Sequence, residues 1–349
     1  MPRATPARRL RWGAALALAL VLGATACGSP APPAPASGPA SDAPSAGVGA
    51  YPVTIEHKYG STEITAEPQR VVLVGLNEQD ALLALGKVPV ATSNFLDVDG
   101  GIFPWAEAAL GGAPKPVLLD QTDGIPYEKV AELTPDLIVG LYSGLTDEQY
   151  ATLSKIAPVV AQPTGQKDYS VSWEDTTLTV GKILGKPAEA QKLVDDTEAR
   201  FAQERSAHPE FAGKSGVGAT FYEGYYFYGA EDPRGRLLGS LGFTVPPDLA
   251  QFIDSDGFGG TVPAERASVL DTDAIVWVGP DTLRAQLAAD PVYSRLDVST
   301  QGRAVFLNEN DTLGKAFSFV TPLSIPYLLD GLVPQLSAAV DGDPTTAAA

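Results

Sequence analysis

Cysteine, histidine and methionine are almost absent from this chain, whose 349 residues include one cysteine, two histidines and one methionine. One cysteine cannot form an internal disulfide. Two histidines without a second thiol cannot supply the several ligands of a bare zinc or manganese site, so any metal must arrive already chelated. We therefore expect no metal site built by the protein and no intrinsic cofactor.

Basic residues are also few, since 24 Lys and Arg stand against 42 Asp and Glu, and the formal net charge is -18. This excess of negative charge argues against sequence-independent binding to nucleic acid, because phosphates would be repelled. Local basic clusters remain the only means of attracting an anion.

Common catalytic motifs are missing as well. The chain has no Gly-x-Ser-x-Gly elbow, and neither His57 nor His208 lies in an obvious nucleophile–base setting. A P-loop is excluded because His208 stands where its first glycine should precede residues 213–215. We therefore expect a protein that is not an enzyme, with a secreted hydrolase as the alternative from another class.

The chain has no apolar run of the roughly 20 residues that a bilayer crossing needs. Residues 12–22 form a shorter run, which follows four arginines and ends in small residues directly before Cys27. This pattern favours a cleaved export signal over a permanent membrane anchor. Small residues before the only cysteine resemble a bacterial lipobox, although Ala24 stands where Leu is preferred, and the resemblance implies acylation of Cys27.

The body of the chain alternates between strand and helix patterns. Residues 70–75 form a buried-strand pattern, residues 77–85 have helical apolar spacing, and residues 88–92 are strand-like again, which predicts a βαβ unit and a parallel sheet. Residues 173–207 are helical apart from a break at Gly185 to Pro187. After residue 213 the alternation starts again, with strands at 216–222, 243–245 and 274–278 and helices at 237–241 and 264–270.

The predicted fold class is α/β, with two Rossmann-like lobes on central parallel sheets joined by a long helical connector. Residues 128–139 also match residues 265–276 without a gap, which favours two similar lobes. The predicted organisation is a signal peptide at 1–26, a disordered Pro/Ala/Ser-rich tether at 27–50, an N-terminal lobe at 51–172, the connector at 173–207, a C-terminal lobe at 208–340 and a disordered tail at 341–349.

This arrangement resembles the helical-hinge (class III) family of substrate-binding proteins of ABC importers, and in particular its iron–siderophore branch. The resemblance is carried by residues 70–86, 133–139, 173–185, 232–242 and 302–307. It implies a monomeric, lipid-anchored subunit on the extracytoplasmic face of the bacterial cell membrane. Such a subunit captures a ferric siderophore between its lobes and delivers it to a permease with a cytoplasmic ATPase. Binders of haem, cobalamin or ferric citrate with the same fold remain alternatives.

The resemblance also implies that one surface carboxylate per lobe docks on the permease. Glu128 and Glu265 occupy equivalent positions in the internal repeat and are the candidates. The alternative is that both are ordinary solvated glutamates, favoured near a helix start by the helix dipole.

In a two-lobed binder the ligand lies between the lobes, at the carboxyl ends of the parallel strands. Rigid aromatics there can cover a chelate, and the forked donors of Arg234 and Arg236 suit anionic oxygens, which favours an anionic chelate. Each tyrosine and Trp277 can equally belong to the core, and Trp173 can instead cap the lobe interface. Arg234 and Arg236 can equally be solvated loop residues. The predicted ligand-binding residues are Asn77, Phe95, Tyr142, Ser143, Trp173, Tyr222, Tyr225, Tyr226, Tyr228, Arg234, Arg236, Trp277, Lys315 and Phe319.

Overall fold

The computed structural model describes residues 51–343 and 345–346. The predicted signal peptide, the tether and Cys27 lie outside the described residues. Within them, none of the helices combines the length and the apolar character needed to cross a bilayer.

The N-terminal lobe begins with a hairpin and continues as alternating strands and helices. Its elements are β1 (Val53–His57), β2 (Gly60–Ile64), β3 (Val71–Leu73), α1 (Gln79–Ala84), β4 (Ala91–Ser93), β5 (Val117–Leu119), α2 (Tyr127–Glu132), β6 (Leu137–Gly140), α3 (Asp147–Leu153) and β7 (Val159–Ala161), with 3-10 helices at Asp99–Gly101 and Pro104–Leu110. The last five strands form a parallel sheet in the order β5-β4-β3-β6-β7.

The central strands of this sheet are apolar on both faces because both faces are covered. Val71 and Leu73 of β3 pack in one core cluster, whereas Val72 between them packs in another on the opposite face. Continuous apolar strands of this kind are typical of buried parallel sheets. The predicted βαβ unit at residues 70–92 is confirmed as β3, α1 and β4.

The connector consists of two helices, α4 (Trp173–Ile183) and α5 (Pro187–Ala207). The break follows from Gly185, whose φ is 66°, and from Pro187, which fits the first turn of a helix but not its interior. Val180 of α4 is buried in the N-terminal lobe, and Phe201 of α5 is buried in the C-terminal lobe. The connector is therefore packed into both lobes. Full burial of each such side chain stabilises the folded state by about 1.5–3 kcal/mol.

The C-terminal lobe follows a similar order but contains more short helices. Its elements are β8 (Gly216–Phe221), β9 (Tyr225–Tyr228), α6 (Pro233–Ser240), α7 (Pro247–Ala250), β10 (Gly259–Val262), β11 (Ala274–Gly279), α8 (Leu283–Ala289), α9 (Asp297–Thr300), β12 (Ala304–Asn308), α10 (Thr312–Ser318) and α11 (Ser324–Val340), with 3-10 helices at Pro209–Phe211, Ala264–Leu270 and Tyr293–Arg295. The strand order is β10-β9-β8-β11-β12.

The fold class is confirmed, but the C-terminal sheet is mixed rather than fully parallel. Strand β9 runs antiparallel to β8 and to β10, because the chain reverses after β8 through Glu223 and Gly224, both with positive φ. The strand predicted at residues 243–245 does not form, and only an isolated bridge joins Ser215 to Thr244. The helix predicted at residues 264–270 is a 3-10 helix.

The close approach of α4 and α5 predicts a specific cost for one methyl group. A Cβ added to Gly181 would lie 2.2 Å from the Cβ of Ala190, whereas a Cβ on Gly239 of α6 would meet nothing within 4 Å. We expect Gly181→Ala to lower the free energy of unfolding by about 1–3 kcal/mol through overpacking. The matched Gly239→Ala should leave it unchanged or raise it by up to about 1 kcal/mol. Urea unfolding of both variants tests this, and equal midpoints would contradict it.

Candidate ligand-binding cleft

A cleft of about 900 Å³ lies between the two lobes. Its N-terminal wall comes from the loops that follow β3, β4 and β6, and its opposite wall from residues at or after the ends of β8, β9, β11 and β12. In both sheets this is the point where the strand order reverses, which is where ligands bind in open α/β sheets. The walls include Leu76, Asn77, Phe95, Leu96 and Tyr142 on one side and Thr220, Tyr228, Val278 and Glu309 on the other.

A buried carboxylate holds the N-terminal wall together. Glu78 is fully buried, and its carboxylate accepts hydrogen bonds from the backbone N–H of Tyr142 at 2.8 Å and of Asn77 at 3.1 Å. Burial raises the pKa of Glu78, although these backbone donors oppose the shift. Position 75 has room only for glycine, because a Cβ there would lie 1.9 Å from Oε1 of Glu78. Glu78 therefore ties the loop after β3 to the loop after β6.

Arg234 lines the cleft and forms an ion pair with Asp232. Its Nε and Nη2 donate to the two carboxylate oxygens of Asp232, each at 2.7 Å, and its guanidinium lies 3.6 Å from the ring centroid of Tyr228. Asp232 also caps α6 by accepting from the backbone N–H of Arg234 at 2.8 Å. Burial alone would lower the pKa of Arg234, but the charge and hydrogen bonds of Asp232 raise it, so the guanidinium stays charged.

Aromatic rings from both lobes line the cleft. Phe95 follows β4 and Phe319 follows α10, and their ring centroids are 5.0 Å apart. Tyr142 meets Tyr169 edge-on at 6.0 Å. Burial, with the nearby charge of Asp232, raises the pKa of Tyr142 above its ordinary value, and Tyr142 therefore remains a neutral phenol.

Some of the predicted ligand-binding residues line the cleft and others do not. The residues in the lining are Asn77, Phe95, Tyr142, Tyr228, Arg234 and Phe319. The residues outside it are Ser143, Trp173, Tyr222, Tyr225, Tyr226, Arg236, Trp277 and Lys315.

The tryptophans are core residues. Trp277 is 0% exposed, and its indole N–H donates to the hydroxyl of Tyr293 at 2.8 Å beneath the C-terminal sheet. Trp173 begins α4 and packs in the core of the C-terminal lobe. Neither tryptophan is among the residues that line the cleft.

Strand alternation separates the members of the tyrosine cluster. Side chains of β9 point alternately to opposite faces, so Tyr225 is buried and donates to Asp290 at 2.8 Å, whereas Tyr228 lines the cleft. Tyr226 shares the face of Tyr228 and meets its ring edge-on, but it lies outside the lining. Tyr222 lies at the hairpin turn and is 79% exposed.

The polar residues outside the lining have other partners or positions. Ser143 is buried and donates to the carbonyl of Gly140 at 2.7 Å. Arg236 donates to the carbonyl of Ser170 at 2.8 Å and to Glu231 at 3.1 Å, so it bridges the lobes beside the cleft. Lys315 is half-buried within α10.

Several lining residues were not predicted, because they come from loops far apart in the chain. Lys58, in the first hairpin, pairs with Asp168 at 2.9 Å, and Lys167 donates to the carbonyl of Asp256 at 2.6 Å across the two lobes. Phe258 completes this part of the lining. No local pattern marks these positions, since only the tertiary structure brings them together. Among the described residues, no three or more His, Cys, Asp or Glu side chains are grouped to hold a metal ion.

A second buried carboxylate links the lobes away from the cleft lining. Asp80 of α1 accepts a hydrogen bond from the indole of Trp105 at 2.7 Å and another from the hydroxyl of Thr321 at 2.5 Å. Burial raises the pKa of Asp80 to about 6, although both hydrogen bonds oppose the shift.

Comparison with known proteins identifies the family. Residues 90–310 match the model described as periplasmic binding protein, and the chain belongs to that family. Among solved structures, PiaA from Streptococcus pneumoniae in complex with ferrichrome is 31% identical, with a TM-score of 0.74, over 83% of this chain and 99% of that one. A periplasmic solute binding protein from Mycobacterium smegmatis is 36% identical, with a TM-score of 0.71, over 82% and 98%.

A curated relative is the Fe(3+) dicitrate-binding periplasmic protein FecB of Escherichia coli, which is 26% identical over 211 residues. That match covers 58% of this chain and 65% of FecB. The chain thus spans less than two thirds of the length of this relative.

The raised pKa of Asp80 predicts a pH-dependent contribution to stability. In the unfolded chain Asp80 has the ordinary aspartate pKa of 3.8, so the folded state binds the proton of Asp80 more tightly. The stability that this proton affinity contributes is complete below about pH 4 and is lost as the pH rises through 6, by at most about 3 kcal/mol. Asp80→Asn cannot ionise and should remove this dependence. Urea unfolding at pH 4 to 7 measures it, and parallel profiles for both proteins would refute the assignment.

Proposed function

We propose that this protein is the extracytoplasmic solute-binding subunit of an ABC importer, which captures a ferric siderophore between its lobes and delivers it to the permease. The observation that carries the proposal is the inter-lobe cleft of about 900 Å³, walled by aromatics from both lobes around the paired Arg234. Pockets of roughly 300–1,000 Å³ enclose ligands of the size of a metal chelate. Relatives named for ferrichrome, staphyloferrin B and ferric dicitrate support this choice of ligand class.

The chemistry of the lining fits iron that is already chelated. Phenylalanine rings can cover the apolar edges of a chelate, and neutral phenols can donate hydrogen bonds to its oxygens. Haem iron bound through tyrosine would need a phenolate ligand. Burial raises the pKa of both Tyr142 and Tyr228, which disfavours that state. A siderophore therefore suits these side chains better than haem.

Closure around the ligand is proposed to be small. The connector helices are packed into both lobes, and Lys167 and Arg236 already make hydrogen bonds across them. A hinge that is itself part of two cores resists large rotation. The proposed cycle is thus capture, slight closure and transfer, without covalent chemistry in this subunit.

The cellular setting is proposed from the sequence before the body. Export and acylation at Cys27 would hold a monomer at the extracytoplasmic face of the cell membrane, with the tether letting it reach the permease. Two relatives from Bacillus subtilis carry the word lipoprotein in their names.

Permease docking is proposed to use Glu128 and Glu265. Both side chains are exposed, Glu128 in the first turn of α2 and Glu265 in the first turn of the 3-10 helix Ala264–Leu270. Each lobe thus presents one carboxylate at the same place in its repeat. Paired basic sites on two permease subunits would complement such an arrangement.

The cleft proposal predicts a difference between two tyrosines. We expect Tyr142→Ala to weaken ferrichrome binding about tenfold or more, because a large aromatic wall of the cleft is lost. The matched Tyr222→Ala, at an exposed turn outside the cleft, should leave the dissociation constant unchanged. Quenching of tryptophan fluorescence measures both. Equal affinity of the two variants would count against the cleft, and binding of haem or cobalamin but no ferric chelate would count against the ligand class.

The docking proposal predicts that transport and binding can be separated. The double variant Glu128→Lys with Glu265→Lys should abolish uptake of radiolabelled iron chelate in cells while chelate affinity in solution stays intact. A control double variant, Glu63→Lys with Asp281→Lys, reverses one exposed carboxylate per lobe at other places and should transport normally. Undiminished uptake by the first double variant would reject the docking role.

A further inference from the structure

We propose that the cleft selects ferric chelates whose net charge is zero or positive, such as trihydroxamates, and discriminates against anionic catecholate and citrate chelates. This inference rests on the proposed function and specifies its substrate class. Each hydroxamate carries one negative charge, so three of them neutralise Fe(III). Catecholate groups carry two charges each and leave the chelate strongly anionic. The charge inside the cleft therefore decides which type can bind.

The buried arginine of the cleft offers no net positive charge to a ligand. Both carboxylate oxygens of Asp232 accept hydrogen bonds from Arg234 at 2.7 Å, and Asp232 is 5% exposed. A ligand beside this pair meets two opposite charges at nearly the same distance, and their effects largely cancel. Arg234 can still offer a flat stacking face and its remaining N–H donors.

The two lysines of the lining also have partners, but only one of them is paired with a carboxylate. Lys58 pairs with Asp168 at 2.9 Å. Lys167 donates to the backbone carbonyl of Asp256, and Asp256 is itself one of the lining residues.

One further carboxylate, Glu309, lines the cleft, is exposed, and forms no ion pair with any residue that the structure describes. Carboxylates therefore outnumber cations among the lining residues, in a chain whose formal net charge is -18. Such a field slows the approach of an anion and favours neutral or cationic ligands.

An uncharged recognition group lies on the N-terminal wall. Asn77 lines the cleft and is 9% exposed, yet its side-chain oxygen has no hydrogen-bond partner within the described part of the chain. Buried polar groups are rarely left unpaired, because an unmade hydrogen bond costs about 1–3 kcal/mol. An N–H or O–H donor on the ligand would satisfy this oxygen, whereas an anionic ligand oxygen would not.

The earlier expectation of an anionic chelate depended on two arginines as free counter-charges. Arg236 lies outside the lining and bonds to Ser170 and Glu231, and Arg234 is neutralised by Asp232. Neither is available as an excess positive charge. The structure thus supports the opposite charge preference.

The test uses chelates that share one iron centre and differ only in a distant charge. Ferrioxamine B carries a pendant ammonium, its N-acetyl derivative is neutral, and its N-succinyl derivative is anionic. We expect the anionic derivative to bind at least tenfold more weakly than the other two. This difference in affinity should decrease as salt is added, because screening weakens the repulsion. Ferrichrome, ferric enterobactin and ferric dicitrate are titrated in parallel.

Two test variants and one control identify the residues responsible for the charge discrimination. Glu309→Gln, at an exposed position, should reduce the affinity difference between the anionic derivative and the other two severalfold. The matched Glu265→Gln, outside the cleft, should not change this difference. Asp232→Asn should free the charge of Arg234 and improve binding of the anionic derivative. Equal or tighter binding of the anionic derivative or of ferric enterobactin by the unmodified protein would overturn the inference while leaving the siderophore function intact. Failure of every ferric chelate to bind would instead overturn the proposed function.

Discussion

The packing of one helical connector into two separate cores is the constraint on which the rest of the structure depends. Val180 of α4 is part of the N-terminal core and Phe201 of α5 is part of the C-terminal core. The two helices contact each other so closely that Gly181 has no room for a methyl group beside Ala190. Folding of each lobe therefore also positions the other lobe. The cleft exists because this fixed arrangement brings the carboxyl ends of the parallel strands of the two lobes face to face.

The cleft depends on compensated burial of charge. An unpaired guanidinium buried in a protein is costly, and Asp232 removes that cost by binding Arg234 through both oxygens. Glu78 is held in the opposite wall by backbone N–H donors instead of a cation. Both solutions keep the walls rigid, and both leave the cleft without surplus positive charge. The same contacts that stabilise the lobes are the basis of the proposed preference for uncharged or cationic chelates.

Much of the fold could be predicted because its signals are local. Continuous apolar runs at β3 and β6 and the helical spacing of α1 lie within a few residues of each other, and the switch-point rule then places Asn77, Phe95 and Tyr142 on one wall. The hairpin of β8 and β9 was missed, because nothing in the run Tyr225–Tyr228 states which neighbour it pairs with or in which direction. Lys167 and Asp256 were missed because they meet only across the two lobes.

The amino-acid sequence by itself determined the class of fold, the two lobes and the break in the connector. These features depend on composition, on short-range periodicity and on single residues such as Pro187. Only the tertiary structure decided that Tyr228 lines the cleft while Tyr225 lies in the core, and that Arg234 is neutralised while Arg236 bridges the lobes. Those outcomes depend on strand direction and on partners distant in the chain. The net charge that such a side chain presents to a ligand depends on its partner, and the sequence does not identify that partner.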